Sequence, residues 1–366
     1  MQPIGLYLHI PFCDGKCPYC DFFSVQFTEM DADKYTDALC HKIELSAKQN
    51  KRRADTLYLG GGTPSLLGTE RLIKILDTAK SAYQMEQAEM TMELNPSPNL
   101  ALDFERLREH GLNRVSIGLQ SAVEEELRIL GRKHSVQDVT TTVYKAREAG
   151  IYNISLDLMV GISRQTKESL CKSIDFCEQL QAEHVSAYLL KVEPGTVYEK
   201  RKEELALPDD DGQSELYLTM CNRLESLGYQ QYEISNFSKP GKESRHNLKY
   251  WRCEEYLGIG PAAHSFLNGR RFYTPRSFSD FYDGRNLEDG AGGMPEEYIM
   301  LALRLREGVQ FRAFEERFQV AFPEKYIRNA RRFEKSGLLI FNMDGFRYTK
   351  EGFLLSNTLT AKILWD

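Results

Sequence analysis

Along the first half of the chain, short apolar runs alternate with longer amphipathic stretches. Ile4–Ile10, Thr56–Leu59, Met90–Leu94, Val115–Leu119, Ile154–Met159 and His184–Leu190 read as strands. Between them, Ala32–Gln49, Glu70–Ala82, Ala101–His110, Val136–Ala149 and Lys167–Leu180 read as helices, and Gly111 and Gly150 stand where two of them should stop. Repeated βα units build parallel sheets, so the chain is expected to be an α/β protein. Six units predict a (βα)6 barrel, closed or partial, with its reactive groups at the carboxyl ends of the strands. Past Lys191 the alternation breaks. A helix over Ser214–Leu227 is followed by polar residues 238–242, the segment Arg245-His246-Asn247-Leu248-Lys249-Tyr250-Trp251, placed here in a loop, and a Gly-rich strand-like stretch, Tyr256–Phe266. Phe278–Gly293 is rich in loop signals and marks a boundary. Pro295–Asp366 reads as three short helices, a hairpin of Leu338–Phe341 and Phe346–Thr349 about Met343-Asp344-Gly345, and a last helix. The expected division is a core barrel over 1–235, a connecting segment over 236–292 and a smaller, mostly helical, winged-helix-like domain over 293–366.

Composition narrows the function classes. With 366 residues and 42% hydrophobic content the chain can bury a large core, and no apolar run approaches a membrane span. Met1–Gly5 is neither basic nor long enough for a signal peptide, so a cytoplasmic location is expected. A net charge of −6 argues against nucleic acid as a partner, and Glu315, Glu316, Glu324 and Glu334 interrupt the basic patch of Lys325–Lys335. Five of the eight cysteines (Cys40, Cys171, Cys177, Cys221, Cys253) are scattered, as in a reducing compartment; Cys171 and Cys177 read as small core residues on a helix.

The other three sit in one loop. Cys13, Cys17 and Cys20 form C-x3-C-x2-C directly after the first expected strand. Three thiolates hold three corners of a cubane iron–sulfur cluster and leave the fourth iron without a protein ligand, whereas a fourth cysteine would close the cluster. A zinc site would want a further Cys or His nearby, and the neighbouring His9 falls within the strand. An open iron invites an organic ligand, and S-adenosylmethionine chelates it through amino and carboxylate groups. Candidate supports lie at successive strand ends: Gly60-Gly61-Gly62-Thr63-Pro64, where glycines permit close backbone approach; Glu93; Gln120; Arg132, suited to a carboxylate; and Asp157, a charge in the apolar run Ser155–Met159 that requires a partner. Taken singly, each reads equally as a structural residue; the weight comes from their company with the cysteine loop.

Together, the cysteine loop, Gly60–Pro64, Glu93-Leu94-Asn95-Pro96, Gly118-Leu119-Gln120-Ser121 and Asp157 resemble the radical S-adenosylmethionine superfamily. More narrowly the chain resembles the branch of oxygen-independent coproporphyrinogen III oxidase, over nearly its whole length. The resemblance implies a partial (βα)6 barrel with a smaller helical C-terminal domain. It implies Cys13, Cys17 and Cys20 as ligands of a [4Fe-4S] cluster, and Tyr7, Tyr19, Gly61, Gly62, Thr63, Glu93, Gln120, Arg132 and Asp157 as contacts of S-adenosylmethionine. Two departures separate siblings within the branch. The oxidases carry a further Cys two places after the third, where this chain has Phe22, and an extension ahead of the first strand, which here starts almost at Met1. Both place decarboxylation of a porphyrinogen in doubt and fit the heme-chaperone group of the branch, as does His246–Trp251. That group implies heme as cargo, a respiratory-chain protein as recipient, transient membrane association and a cluster-dependent homodimer. The oxidase remains the alternative.

Heme iron is commonly held by an axial His beneath flat apolar side chains. His246, with Tyr250 and Trp251 beside it and Arg245 and Lys249 for propionates, is the candidate; Cys253 and His264 are the fallback ligands. The bland alternative is a hydrogen-bonded His and a Trp that packs the barrel against the C-terminal domain.

Overall fold

In the computed structural model, which describes residues 2–98 and 100–366, apolar and polar positions largely alternate along the barrel strands, with breaks at Asp55-Thr56 and at Leu158-Met159-Val160. The strands are β1 (Ile4–Ile10), β2 (Ala54–Gly61), β3 (Glu89–Leu94), β4 (Arg114–Gln120), β5 (Asn153–Val160) and β6 (His184–Leu189), all parallel neighbours in that order. On β4, Val115, Ile117 and Leu119 are fully buried, as are Ile154, Leu156, Leu158 and Val160 on β5. These rows pack under the helices. The opposite rows (Tyr7 and His9; Thr56 and Tyr58; Thr91 and Glu93; Arg114 and Ser116; Ser155 and Asp157; His184 and Ser186) face the concave side and are polar. Tyr7, Tyr58, Glu93 and Asp157 stay partly exposed although their strands have neighbours on both sides, so the concave side is an open lumen rather than a packed core.

The helices form where capping and periodicity agree. Glu29–Asn50 starts at Thr28, whose hydroxyl accepts from the Asp31 N–H at 3.2 Å, and buries Ala32, Tyr35, Thr36, Leu39, Cys40 and Ile43 along one stripe. Asp103 caps the helix Phe104–Glu109 in the same way, which starts it later than the periodicity alone places it. Cys177 is fully buried on Lys167–Gln179, while Cys171 on the same helix is only half-buried.

The sheet does not close. Beyond β6 it continues antiparallel through β7 (Asn236–Ser238) to the short strand Gln230–Gln231. Beyond β1 it continues through β8 (Tyr256–Ile259), parallel to β1, then antiparallel through β9 (His264–Leu267), β10 (Arg270–Tyr273) and β11 (Leu287–Ala291). Among the described residues, twelve strands form this one sheet. Two expectations need correction here. The stretch Phe278–Gly293 is not mainly loop: it holds the helix Phe278–Asp283 and β11, because Ser277 caps the helix and β11 finds an edge to pair with. His246–Trp251 is not a loop either. Arg245–Trp251 is a helix, with Ser244 as its N-cap accepting from Asn247 N–H.

Past residue 294 come the helices Pro295–Ala302, Phe311–Phe318 and Glu324–Glu334, a hairpin of Leu339–Phe341 with Gly345–Tyr348, and the helices Lys350–Leu354 and Ser356–Trp365. No helix among the described residues is long and apolar enough to cross a membrane.

Candidate active site at the cysteine loop

The loop leaves β1 at its carboxyl end. Phe12–Cys13 pairs in parallel with Val25–Gln26, so residues 14–24 arch over the rim of the lumen. The glycines of β2 hold this arch in place. Gly62 N–H donates to the Ile10 carbonyl at 2.8 Å and Thr63 N–H to the Phe12 carbonyl at 2.7 Å. A Cβ on Gly62 would stand 2.5 Å from the Phe12 carbonyl oxygen, and Gly61 has φ +108° with the His9 ring against it. The close approach expected of these glycines is therefore, first of all, an approach to the cysteine strand.

Two of the three thiols are joined by a chain of hydrogen bonds. Asn95 Nδ2 donates to Thr63 Oγ1 at 2.8 Å, and Thr63 Oγ1 lies 3.7 Å from Cys13 Sγ. Asn95 Oδ1 accepts from Arg132 Nη2 at 3.0 Å, and Arg132 Nη1 donates to Cys17 Sγ at 3.4 Å. With its acceptor lone pair engaged by Asn95, the Thr63 hydroxyl is free to donate to sulfur. Both sulfurs thus face hydrogen-bond donors. Gln120, at φ +66°, folds over Gly118: an added Cβ there would lie 2.5 Å from Arg132 Nη2, 2.9 Å from Asn95 Oδ1 and 2.9 Å from Gln120 Nε2. Burial pushes the Cys20 thiol up. Tyr19 packs edge-on against Tyr198, with ring centroids 6.0 Å apart, and burial raises its phenol. Among the described residues no three His, Cys, Asp or Glu side chains are gathered to hold a single metal ion. Ligands of a cubane bind different irons and need not converge on one point.

Deeper in the lumen stand the two carboxylates. Glu93 accepts from the Tyr58 hydroxyl at 2.8 Å and the Gly61 N–H at 3.1 Å. Burial, with Asp157 nearby, raises its pKa to about 7 despite those bonds. Asp157 accepts from Ser116 Oγ at 2.9 Å, and burial raises it too. The partner that Asp157 required is thus a pair of strand hydroxyls with Arg114 and Arg132 in electrostatic range. Tyr7 donates to His9 Nδ1 at 3.0 Å, because His9 Nε2–H donates to the Phe23 carbonyl at 3.0 Å and leaves Nδ1 as acceptor. Burial lowers His9 to about 4, so the ring is neutral near pH 7.

Tyr7, Tyr19, Gly61, Gly62, Thr63, Glu93, Gln120, Arg132 and Asp157 therefore share one rim and lumen with the cysteine loop. His246 does not. It lies on the helix Arg245–Trp251, which plugs the opposite, amino-terminal end of the barrel, and it is fully buried. Its Nδ1 is 2.8 Å from Thr56 Oγ1 and its Nε2 is 2.7 Å from the Tyr250 hydroxyl. Glu89 accepts the N–H groups of Arg245 and His246 at the helix start. Lys249 is buried in ion pairs with Asp55 and Glu254, not offered to a propionate. Burial lowers His246 to about 3, and neither ring nitrogen faces a ligand.

Sequence reasoning missed Asn95, the bridge between Thr63 and Arg132, and Arg114. The latter is 1% exposed at the base of the lumen, with Nε lacking a hydrogen-bond partner among the described residues, and its charge works against the elevation of Glu93 and Asp157. The signal was present: a charged residue opening an apolar strand, in phase with Ser116, Gly118 and Gln120.

Comparison with known proteins agrees with this geometry. The family model of the Radical SAM superfamily matches residues 7–177, and that of the HemN C-terminal domain matches residues 294–355. The chain is 35% identical to heme chaperone HemW of Bacillus subtilis, over 98% of this chain and 99% of that one. It is 37% identical to HemW of Escherichia coli, over 86% of each chain. The chain belongs to the HemW family of radical SAM proteins. HemW-family resemblance extends to the mitochondrial radical S-adenosyl methionine domain-containing protein 1 of Danio rerio, 31% identical over 99% of this chain and 87% of that one. The fold is also that of Escherichia coli coproporphyrinogen III oxidase HemN, with a TM-score of 0.84 at 22% identity, over 99% of this chain and 90% of that one. This chain and HemN thus share an architecture, and a shared fold does not by itself fix the chemistry.

Proposed function

We propose that the protein is a heme chaperone. It binds heme, passes it to a recipient such as a respiratory-chain protein, and works in the cytoplasm, with transient visits to a membrane. In this reading Cys13, Cys17 and Cys20 hold a [4Fe-4S] cluster, and Tyr7, Tyr19, Gly61, Gly62, Thr63, Glu93, Gln120, Arg132 and Asp157 hold S-adenosylmethionine. The observation that carries it is the full-length match to HemW sequences, joined to a rim that offers three thiols, two of them backed by Thr63 and Arg132. Held by these residues, S-adenosylmethionine would supply the radical chemistry. The chain's own contribution is to place donors at two sulfurs, a guanidinium within reach of a carboxylate, and two carboxylates within reach of hydroxyls and an amine. The buried Arg132 Nε, without a hydrogen-bond partner among the described residues, is a donor still open to such a ligand.

The second reading, oxidative decarboxylation of a porphyrinogen, is supported by the shared fold with HemN. Phe22 speaks against it: a phenyl group 65% exposed stands where the oxidases resemble a fourth cysteine. Anaerobic reconstitution with ferrous iron and sulfide, then hemin titration and a coproporphyrinogen III assay on the same sample, decides. Cluster absorption lost on Cys→Ser at 13, 17 or 20, with hemin bound and no protoporphyrinogen formed, is the expected result. Formation of protoporphyrinogen, or hemin left unbound, overturns the chaperone reading.

A further inference from the structure

Beside the cysteine loop the sheet opens into a cleft of ≈ 610 Å³ between β1, β8, β9 and the helix Arg245–Trp251. That volume lies within the roughly 300–1,000 Å³ of small-molecule sites. Its walls are flat: Tyr7, Phe22, Phe23, Tyr250, Trp251 and Tyr256. Tyr250 and Tyr256 meet edge to face with centroids 4.5 Å apart, so this wall is rigid. At the mouth, Arg276 reaches Asp21 only at 3.5 Å and stays mostly exposed.

One imidazole is presented to this cleft with its nitrogens open. His264, on β9, is exposed, and its ring stacks on Tyr273 with centroids 5.0 Å apart at 19°. Among the described residues it makes no hydrogen bond through either ring nitrogen. Stacking holds the ring plane while leaving both nitrogens for a ligand. The other fallback ligand, Cys253, is buried away from the cleft.

Resting on the chaperone reading, we propose that the heme cargo lies in this aromatic cleft with His264 as axial ligand and Arg276 facing a propionate. His246 is then a positioning residue. Its 2.7 Å hydrogen bond holds the Tyr250 hydroxyl, and with it the wall against which the macrocycle lies. This gives the Arg245–Trp251 helix a part in heme binding without placing His246 on the iron.

The test uses the full-length protein, titrated with hemin and, separately, with metal-free protoporphyrin IX, in a Trp365→Phe background. Trp251 is then the sole tryptophan and reports on the cleft through quenching. Wild type is expected to give a His-ligated Soret band and to quench with both porphyrins. His264→Ala should lose that band and weaken hemin binding at least tenfold, with metal-free porphyrin binding unchanged and the band restored by added imidazole. His246→Gln, which keeps a hydrogen-bonding partner for Tyr250, should retain the band. A His264→Ala spectrum and affinity equal to wild type, or a band lost in His246→Gln but kept in His264→Ala, overturns the site while leaving heme carriage standing. Wild type that binds neither porphyrin overturns both.

Discussion

At the scale of single residues, Glu93 shows how the lumen sets chemistry. Its carboxyl is raised to about 7 from 4.5 because it stands among strand residues beside Asp157. A carboxyl raised in the folded state binds protons more tightly there than in the unfolded chain, so its support for folding is full below 4.5 and is lost as pH rises through about 7. Glu93→Gln, which has no charge to bury, should therefore gain stability relative to wild type at pH 8 and not at pH 5. The difference should be on the order of 1–3 kcal/mol, the lower end if lumen water screens the charge. Urea melts at the two pH values check it, and an equal effect at both would show that Glu93 titrates normally. His9 and His246 act with the opposite sign. Lowered to about 4 and about 3, they favour the folded state above 6.5 and withdraw that support as pH falls through the window down to those values.

At the scale of elements, the helix Arg245–Trp251 and the β2 glycine turn carry the clearest expectations. His246→Ala removes the partner of both Thr56 and Tyr250 and leaves a cavity, and should cost about 3–4 kcal/mol in chemical denaturation. Ser244→Ala loses the N-cap and should cost about 1 kcal/mol. Gly62→Ala drives a methyl group into the Phe12 carbonyl oxygen and should cost about 1–3 kcal/mol while displacing the strand that carries Cys13. Iron content after reconstitution should fall with it; full cluster loading in Gly62→Ala would show that the turn does not hold the loop. The six parallel strands were legible because their outward rows are continuously apolar, mostly Leu, Ile and Val with Met90 and Met92 on β3 and Ala187 on β6. The helix at 245 was not, because a seven-residue helix shows barely two turns of periodicity. Its Ser244 cap follows a run of Pro, Gly and Lys that reads as loop. β11 was hidden for a related reason: Leu287–Ala291 has little apolar content of its own and becomes a strand by pairing with β10.

At the scale of the whole molecule, residues beyond 294 are tied to the rest of the chain by backbone and side-chain hydrogen bonds. Ile234 N–H donates to the Arg304 carbonyl at 3.0 Å, Arg306 N–H to the Tyr232 carbonyl at 2.9 Å, and Arg317 Nη2 to the Cys253 carbonyl at 2.8 Å. Glu233, 1% exposed and raised to about 7 by burial, lies under this junction. Calorimetry should accordingly show one cooperative unfolding transition rather than a barrel and a tail melting apart. Two separated endotherms would contradict this.

The linear order of residues determined the α/β class, the six parallel strands, the cysteine loop at their carboxyl rim and the family, since each rests on local periodicity or fixed spacing. Which polar residues share a space was decided only by the tertiary structure. Asn95 joins Thr63 to Arg132 across 32 and 37 positions, and β8 returns some 250 residues after β1 to pair with it. Contacts with Thr56 and Tyr250 bury His246, while His264 lies exposed in the cleft wall. A side chain's exposure depends on what folds over it, and no pattern within a short window records that.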